Sequence, residues 1–112
     1  MKDAEHIVVF ITTADKEEAK LISKVLLEQR KAACVNIVPK ISSVYWWKEQ
    51  IESDKESLLI AKTKAALLED VIEVVREVHS YENPEILAVP VYGGSPTYLE
   101  WLDEALAPEA EE

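Results

Sequence analysis

Few residues in this 112-residue chain have side chains that could do chemistry, and they are scattered. His79 is an imidazole that could ligate copper or zinc, and Glu82 and Glu85 follow closely enough to add carboxylate oxygens. One imidazole with two flexible carboxylates makes only a weak chelate. The competing role for His79 is that of a helix-terminal residue at the negative end of the helix dipole. Lys62 and Thr63, with Tyr81, could line a cleft for a small anion, although Thr63 could equally cap a following helix. Cys34 is the single thiol and soft enough for Cu(I), but a small thiol in a strand is commonly buried and inert. His6 begins a strand and reads as a surface residue rather than a ligand. Gly93, Gly94 and Ser95 could present amides to an anion, and serve equally well as a loop with an N-cap. No Cys-x-x-Cys, zinc-finger spacing, nucleophile elbow, phosphate loop or dinucleotide fingerprint occurs. The sequence therefore predicts neither an enzyme nor an obligatory cofactor.

The remaining unusual residues are Tyr45, Trp46 and Trp47, three adjacent aromatics ahead of the charged run KEQIESDKE. They could stack bases or line a pocket, but packing in a core or an interface competes and suits them better. Neighbouring side chains in a strand point to opposite faces. One tryptophan is thus expected to enter the core, and the other needs a second surface to cover it.

The elements that must position these residues are legible from periodicity. HIVVFITT, residues 6–13, is a nearly continuous β-branched run of the kind found in a central strand. Asp15 with Glu18 resembles a capping box, and Ala19, Ile22, Val25 and Leu26 then follow helical spacing. In the next strand Val35 and Ile37 face one way and Cys34 and Asn36 the other, until Pro39 ends or bulges it. VYWW and SLLIAK form a pair of strands with a long charged hairpin arm. A second helix is expected from about Ala65 to His79, striped by Leu67, Val71, Val74 and Val78. EILAVPVY is a further strand, with Pro90 on an edge, and Ser95-Pro96 opens a last helix through Leu106. The order β-α-β-β-α-β plus a terminal helix predicts an α+β, ferredoxin-like split βαβ fold. Both crossover helices should cover one face of the sheet, so the bare opposite face needs another chain.

Composition limits the partners. The chain has 48% hydrophobic and 30% charged residues, as one globular domain should. Its net charge of −10, from 22 acidic and 12 basic side chains, repels nucleic-acid phosphate and draws cations only diffusely. No apolar run approaches a membrane span, and the N-terminal run is too short for a signal peptide. The lone cysteine suits a reducing cytoplasm.

Five segments, KAACVNIVP, SVYWWKEQIESDKE, LLIAKT, HSYENPEI and YLEWL, resemble the CutA family of divalent-cation-tolerance proteins, in order from about Ile7 to Leu106. The resemblance implies a tight homotrimer with interlocking sheets, kinship in shape with PII-type signalling proteins, and a part in tolerance to copper and other divalent metals. In some members copper ligation is attributed to a first-strand cysteine and to adjacent histidines before the tyrosine. Here those places hold Ile11 and Val78, leaving His79 alone. Glu49 stands where a glycine commonly follows the tryptophan, which implies a different turn geometry. Ser80 replaces a proline, and Lys31 and Lys40 replace a leucine and a glycine.

The chain is accordingly expected to be a single domain over residues 1–112, with a core at about 6–107 and an acidic tail at 108–112. It is expected to be a non-enzymatic cytoplasmic homotrimer of copper tolerance, partnered by itself and by divalent metal ions rather than nucleic acid or membrane. Metal would bind weakly at subunit clefts through His79, Glu82 and Glu85, with Tyr45, Trp46 and Trp47 at the trimer interface. The alternative is a PII-like trimer holding a small ligand at Lys62, Thr63 and Tyr81.

Overall fold

The computed structural model describes residues 4–107, so the acidic tail expected at 108–112 lies outside them. β1 (His6–Thr13) leads into α1 (Lys16–Glu28), whose start is fixed by a capping box. The Glu18 N–H donates to Asp15 Oδ1 at 2.8 Å, while Glu18 Oε1 reaches back to the Ala14 N–H at 2.9 Å. The helix closes with a double bond pattern, Arg30 N to Leu27 O and Lys31 N to Leu26 O. That pattern needs a left-handed residue, and Arg30 supplies it at φ 56°.

β2 (Cys34–Trp47) and β3 (Gln50–Lys64) form the long hairpin. Its register shifts between Val38 and Ile41, a bulge where Pro39 has no N–H to give to the ladder. A 3₁₀ turn at Ala65–Leu67 precedes α2 (Leu68–Val78), and β4 (Ile86–Pro90) and α3 (Pro96–Leu106) complete the chain. The entry to α2 is capped by neither Thr63 nor any other side chain. Ser95 occupies the N-cap position of α3, but its hydroxyl lies 3.1 Å from Thr97 Oγ1 and makes no cap bond.

The four strands run antiparallel in the order β2-β3-β1-β4, the ferredoxin-like arrangement, with Pro90 at the end of an edge strand. Ile7, Val9 and Ile11 of β1 and Leu59 and Ala61 of β3 meet Ile22 and Leu26 of α1 and Val71 and Val75 of α2 in one cluster. Both crossover helices therefore lie on one face. Residues paired in register share a face, so the other face carries Phe10 opposite Ile60 and Leu87, Val8 opposite Val89, and Leu58 opposite Thr12. Leu87 and Val89 are exposed, and Val8, Phe10, Leu58 and Ile60 are half-buried.

That face is not wholly bare, as the sequence implied. α3 buries Leu102 and Leu106, and its Asp103 bonds His6, which lies on the second face. The helix thus covers the His6 end and leaves the apolar centre open.

Candidate functional site

Both tryptophans lie outside the core. Trp46 is 71% exposed and Trp47 59%, in place of the expected division between core and interface. The reason is distance: beyond the bulge, β2 and β3 pair only with each other, so the far end of the arm runs out past the rest of the sheet. Pairing puts Trp46 with Ile51 and Val44 with Ser53 on one side, and Tyr45 with Glu52 on the other. Val44, Trp46 and Ile51 form an exposed apolar ladder, while Tyr45 donates to Asp54 and the Lys48 ammonium lies 5.5 Å from the Trp47 ring. The bond to Asp54, with the surrounding acid charge, pushes the Tyr45 phenol up to about 12. The radius of gyration, 15.1 Å, shows the protrusion. A compact chain of this length would have roughly 13 Å.

At the foot of the arm a polar network joins the end of β1, the start of α1 and the end of α2. The His79 side chain is fully buried there. Its Nε2 lies 2.7 Å from the Thr12 carbonyl oxygen, and its Nδ1 accepts from the Tyr81 N–H at 3.0 Å. The carbonyl can only accept, so Nε2 carries the proton and donates, while the Nδ1 lone pair is taken by Tyr81. Glu18, besides closing the capping box, accepts from the Ser80 N–H at 2.7 Å. Burial raises the Glu18 carboxyl, but the Ala14 and Ser80 donors outweigh it and hold the group below its ordinary value. The Tyr81 hydroxyl donates to Glu56 at 2.8 Å, and burial together with that carboxylate pushes the phenol up strongly. The Glu18 link to Ser80 spans 62 positions, and no local pattern in the sequence announces it.

The residues expected to hold metal do not fit one in this geometry. A metal at His79 would have to break one of its two bonds inside a closed pocket, and Glu82 and Glu85 stand exposed outside it. Among the described residues no three His, Cys, Asp or Glu side chains converge on a point. The proposed small-ligand cleft is likewise not assembled within one chain. Thr63 is fully buried and donates to the Lys31 carbonyl at 2.7 Å, whereas Lys62 points to the opposite face and donates to Asn36 at 2.5 Å. Tyr81 bonds Glu56, six positions away along β3, or roughly 20 Å of strand.

His6, read from sequence as a surface residue, is buried and lies 2.7 Å from Asp103, with the Lys64 ammonium 3.6 Å from the same carboxylate oxygen. The His6 bond and Lys64 hold the Asp103 carboxyl low. Cys34 is half-buried beside Tyr98, whose phenol is raised by burial and by that thiol. Tyr98 in turn packs 5.5 Å from Trp101. These groups fasten α3 to the sheet.

The profile of the CutA1 divalent ion tolerance protein family matches residues 7–105. The chain belongs to this family. The chloroplastic protein CutA 1 of Oryza sativa is 47% identical over 96 residues, covering 86% of this chain and 54% of that protein. This chain thus spans about half the length of that plant relative. The divalent-cation tolerance protein CutA of Thermus thermophilus is 44% identical over 97 residues, covering 87% of this chain and 94% of the relative. Among solved structures, the periplasmic divalent cation tolerance protein CutA of Archaeoglobus fulgidus superposes with a TM-score of 0.88 at 40% identity, covering 91% of this chain and 99% of that one. Family membership accounts for the five segments and the fold together. No described helix is long and apolar enough to cross a membrane.

Proposed function

We propose that this protein is a non-enzymatic, cytoplasmic homotrimer of divalent-cation tolerance that meets copper and related ions weakly where its subunits join. The observation that carries the assembly is the pair of unmatched apolar surfaces: the ladder Val44, Trp46 and Ile51 on the arm, and the open sheet centre around Phe10, Ile60 and Leu87. Each is large and apolar, and water is a poor partner for both. A closed ring of copies lets every arm cover a neighbour and leaves no strand edge free to propagate. The involvement of divalent ions is supported by the family and by a net charge of −10, which concentrates cations near the surface. Weak binding follows from the absence of converging ligands among the described residues and from the occupied nitrogens of His79.

Calorimetric titration of the intact protein with copper(II) and zinc tests this. The expected result is weak, salt-sensitive binding that falls as pH drops through the carboxylate range near ~4 and that survives His79→Ala. It should be lost when Trp46→Ala and Trp47→Ala together disperse the subunits. No heat with either ion would contradict a role in metal contact. A tight stoichiometric site removed by His79→Ala would contradict the placement at subunit joins.

A further inference from the structure

A hollow of about 180 Å³ opens between the start of α1 and the foot of the arm, and three lysines line it: Lys16, Lys40 and Lys55. In a chain with 22 acidic and 12 basic side chains, three lysines bordering one concavity oppose the average field. Two carboxylates, Asp15 and Glu56, share the lining. Both are already engaged by the protein, Asp15 by the Glu18 N–H and Glu56 by the Tyr81 hydroxyl, each at 2.8 Å. Neither forms an ion pair with a lysine among the described residues. Lys55 donates to the Ser42 hydroxyl at 2.7 Å, while Lys16 and Lys40 have no hydrogen-bond or ion-pair partner among the described residues.

The walls of this hollow are fixed from beneath. Thr13 and Ser57 are fully buried and opposite each other in the β1–β3 register. The Thr13 hydroxyl donates to the Asp15 carbonyl at 3.0 Å, which holds the start of α1. The Ser57 hydroxyl donates to the Pro39 carbonyl at 2.7 Å, which holds the bulge. One pair of buried hydroxyls therefore sets the spacing between Lys16, at the first residue of the helix, and Lys40, inside the bulge. The braced floor fixes where the two lysines leave the backbone, and ordering their flexible side chains is the cost that a multiply charged ligand must offset.

We propose that this hollow binds a small multivalent oxyanion of the pyrophosphate class. A singly charged anion could satisfy one ammonium but would gain little over the two lining carboxylates. An anion with several charges and many acceptor oxygens can serve the two uncommitted ammonium groups of Lys16 and Lys40 at once, with the Lys55 charge close by. The hollow has room for about six water volumes, enough for such an anion. The site lies apart from His6 and Asp103 and from the open sheet face, and it does not rest on the divalent-cation reading.

The test is calorimetric titration of the intact protein with inorganic pyrophosphate at low salt. The expected result is saturable binding at one anion per chain that weakens as salt rises. Lys16→Gln and Lys40→Gln should each weaken it about tenfold, equivalent to about 1.4 kcal/mol. Lys20→Gln, on an exposed position of α1 outside the hollow, should leave it unchanged. Binding of pyrophosphate but not of a nucleoside diphosphate would assign a free oxyanion, and binding of both would assign the phosphates of a larger ester; either result supports the site. Absence of saturable binding would overturn the proposal, and so would parental affinity in both the Lys16→Gln and Lys40→Gln variants.

Discussion

His79 is the residue whose chemistry changes most once its surroundings are known. Its imidazole bridges the last turn of β1 and the segment after α2, donating to Thr12 and accepting from Tyr81. Removing the ring deprives the Thr12 carbonyl and the Tyr81 N–H, both in part-buried bonds, of this partner, at a cost of up to about 1–3 kcal/mol for each. His79→Ala should therefore lower the thermal midpoint clearly, measured by calorimetry without added metal. An unchanged midpoint would mean that the ring is not structural. Tyr45 gives a second residue-scale prediction, because its phenol is raised to about 12 by its bond to Asp54. A raised value means that the bond stabilises the fold fully below the unfolded phenol value of ~10, and that this stability is lost as pH climbs through the folded value. Burial against another copy would push the same way. Ring NMR shifts followed through alkaline pH should show Tyr45 ionising late in the parent and at clearly lower pH in Asp54→Asn. Ionisation at the unshifted value in the parent would contradict the bond.

At the scale of elements, the hairpin arm carries the most consequential local geometry. Its two turn residues, Lys48 and Glu49, both adopt positive φ, at 48° and 65°. This is the two-residue hairpin geometry that favours Asn-Gly, reached here with no glycine at either position. The long ladder on either side holds the turn in this geometry against the local preference of two non-glycine residues. A non-glycine residue pays steric strain there, so Glu49→Gly should stabilise the protein by about 1 kcal/mol, read from the denaturant midpoint. A destabilised Glu49→Gly would show that the side chain contributes something the turn needs. The elements that were legible share one property: their signals are local. The capping box at Asp15 and Glu18, the stripe of α2, the break at Pro39 and the edge position of Pro90 all follow from spacing or from a missing N–H. What was not legible depends on distant partners. His6 meets Asp103 97 positions away, Glu18 meets Ser80 62 away, and neither bond leaves a periodic trace. The division of the tryptophans failed for the same reason, since alternation places a side chain on a face but does not say whether anything covers it.

For the whole molecule, the chain leaves apolar surface uncovered at the centre of one sheet face and along the arm. Its helices cover one face of the sheet, α3 covers one end of the other, and the arm extends beyond both, giving extents of 52 × 36 × 22 Å. Aromatic side chains of this size bury roughly 150–250 Å² each when covered, so two exposed tryptophans on one arm leave a large apolar area in water, and the proposed assembly would cover it. The most direct test is the mass in solution by light scattering at micromolar concentration, for the parent and for the Trp46→Ala, Trp47→Ala double variant. Three times the chain mass for the parent, falling toward one chain mass in the double variant, is the predicted result. A parent that scatters as a single chain, or a double variant that keeps the parental mass and melting, would contradict the assignment of the arm as the device that holds the assembly together.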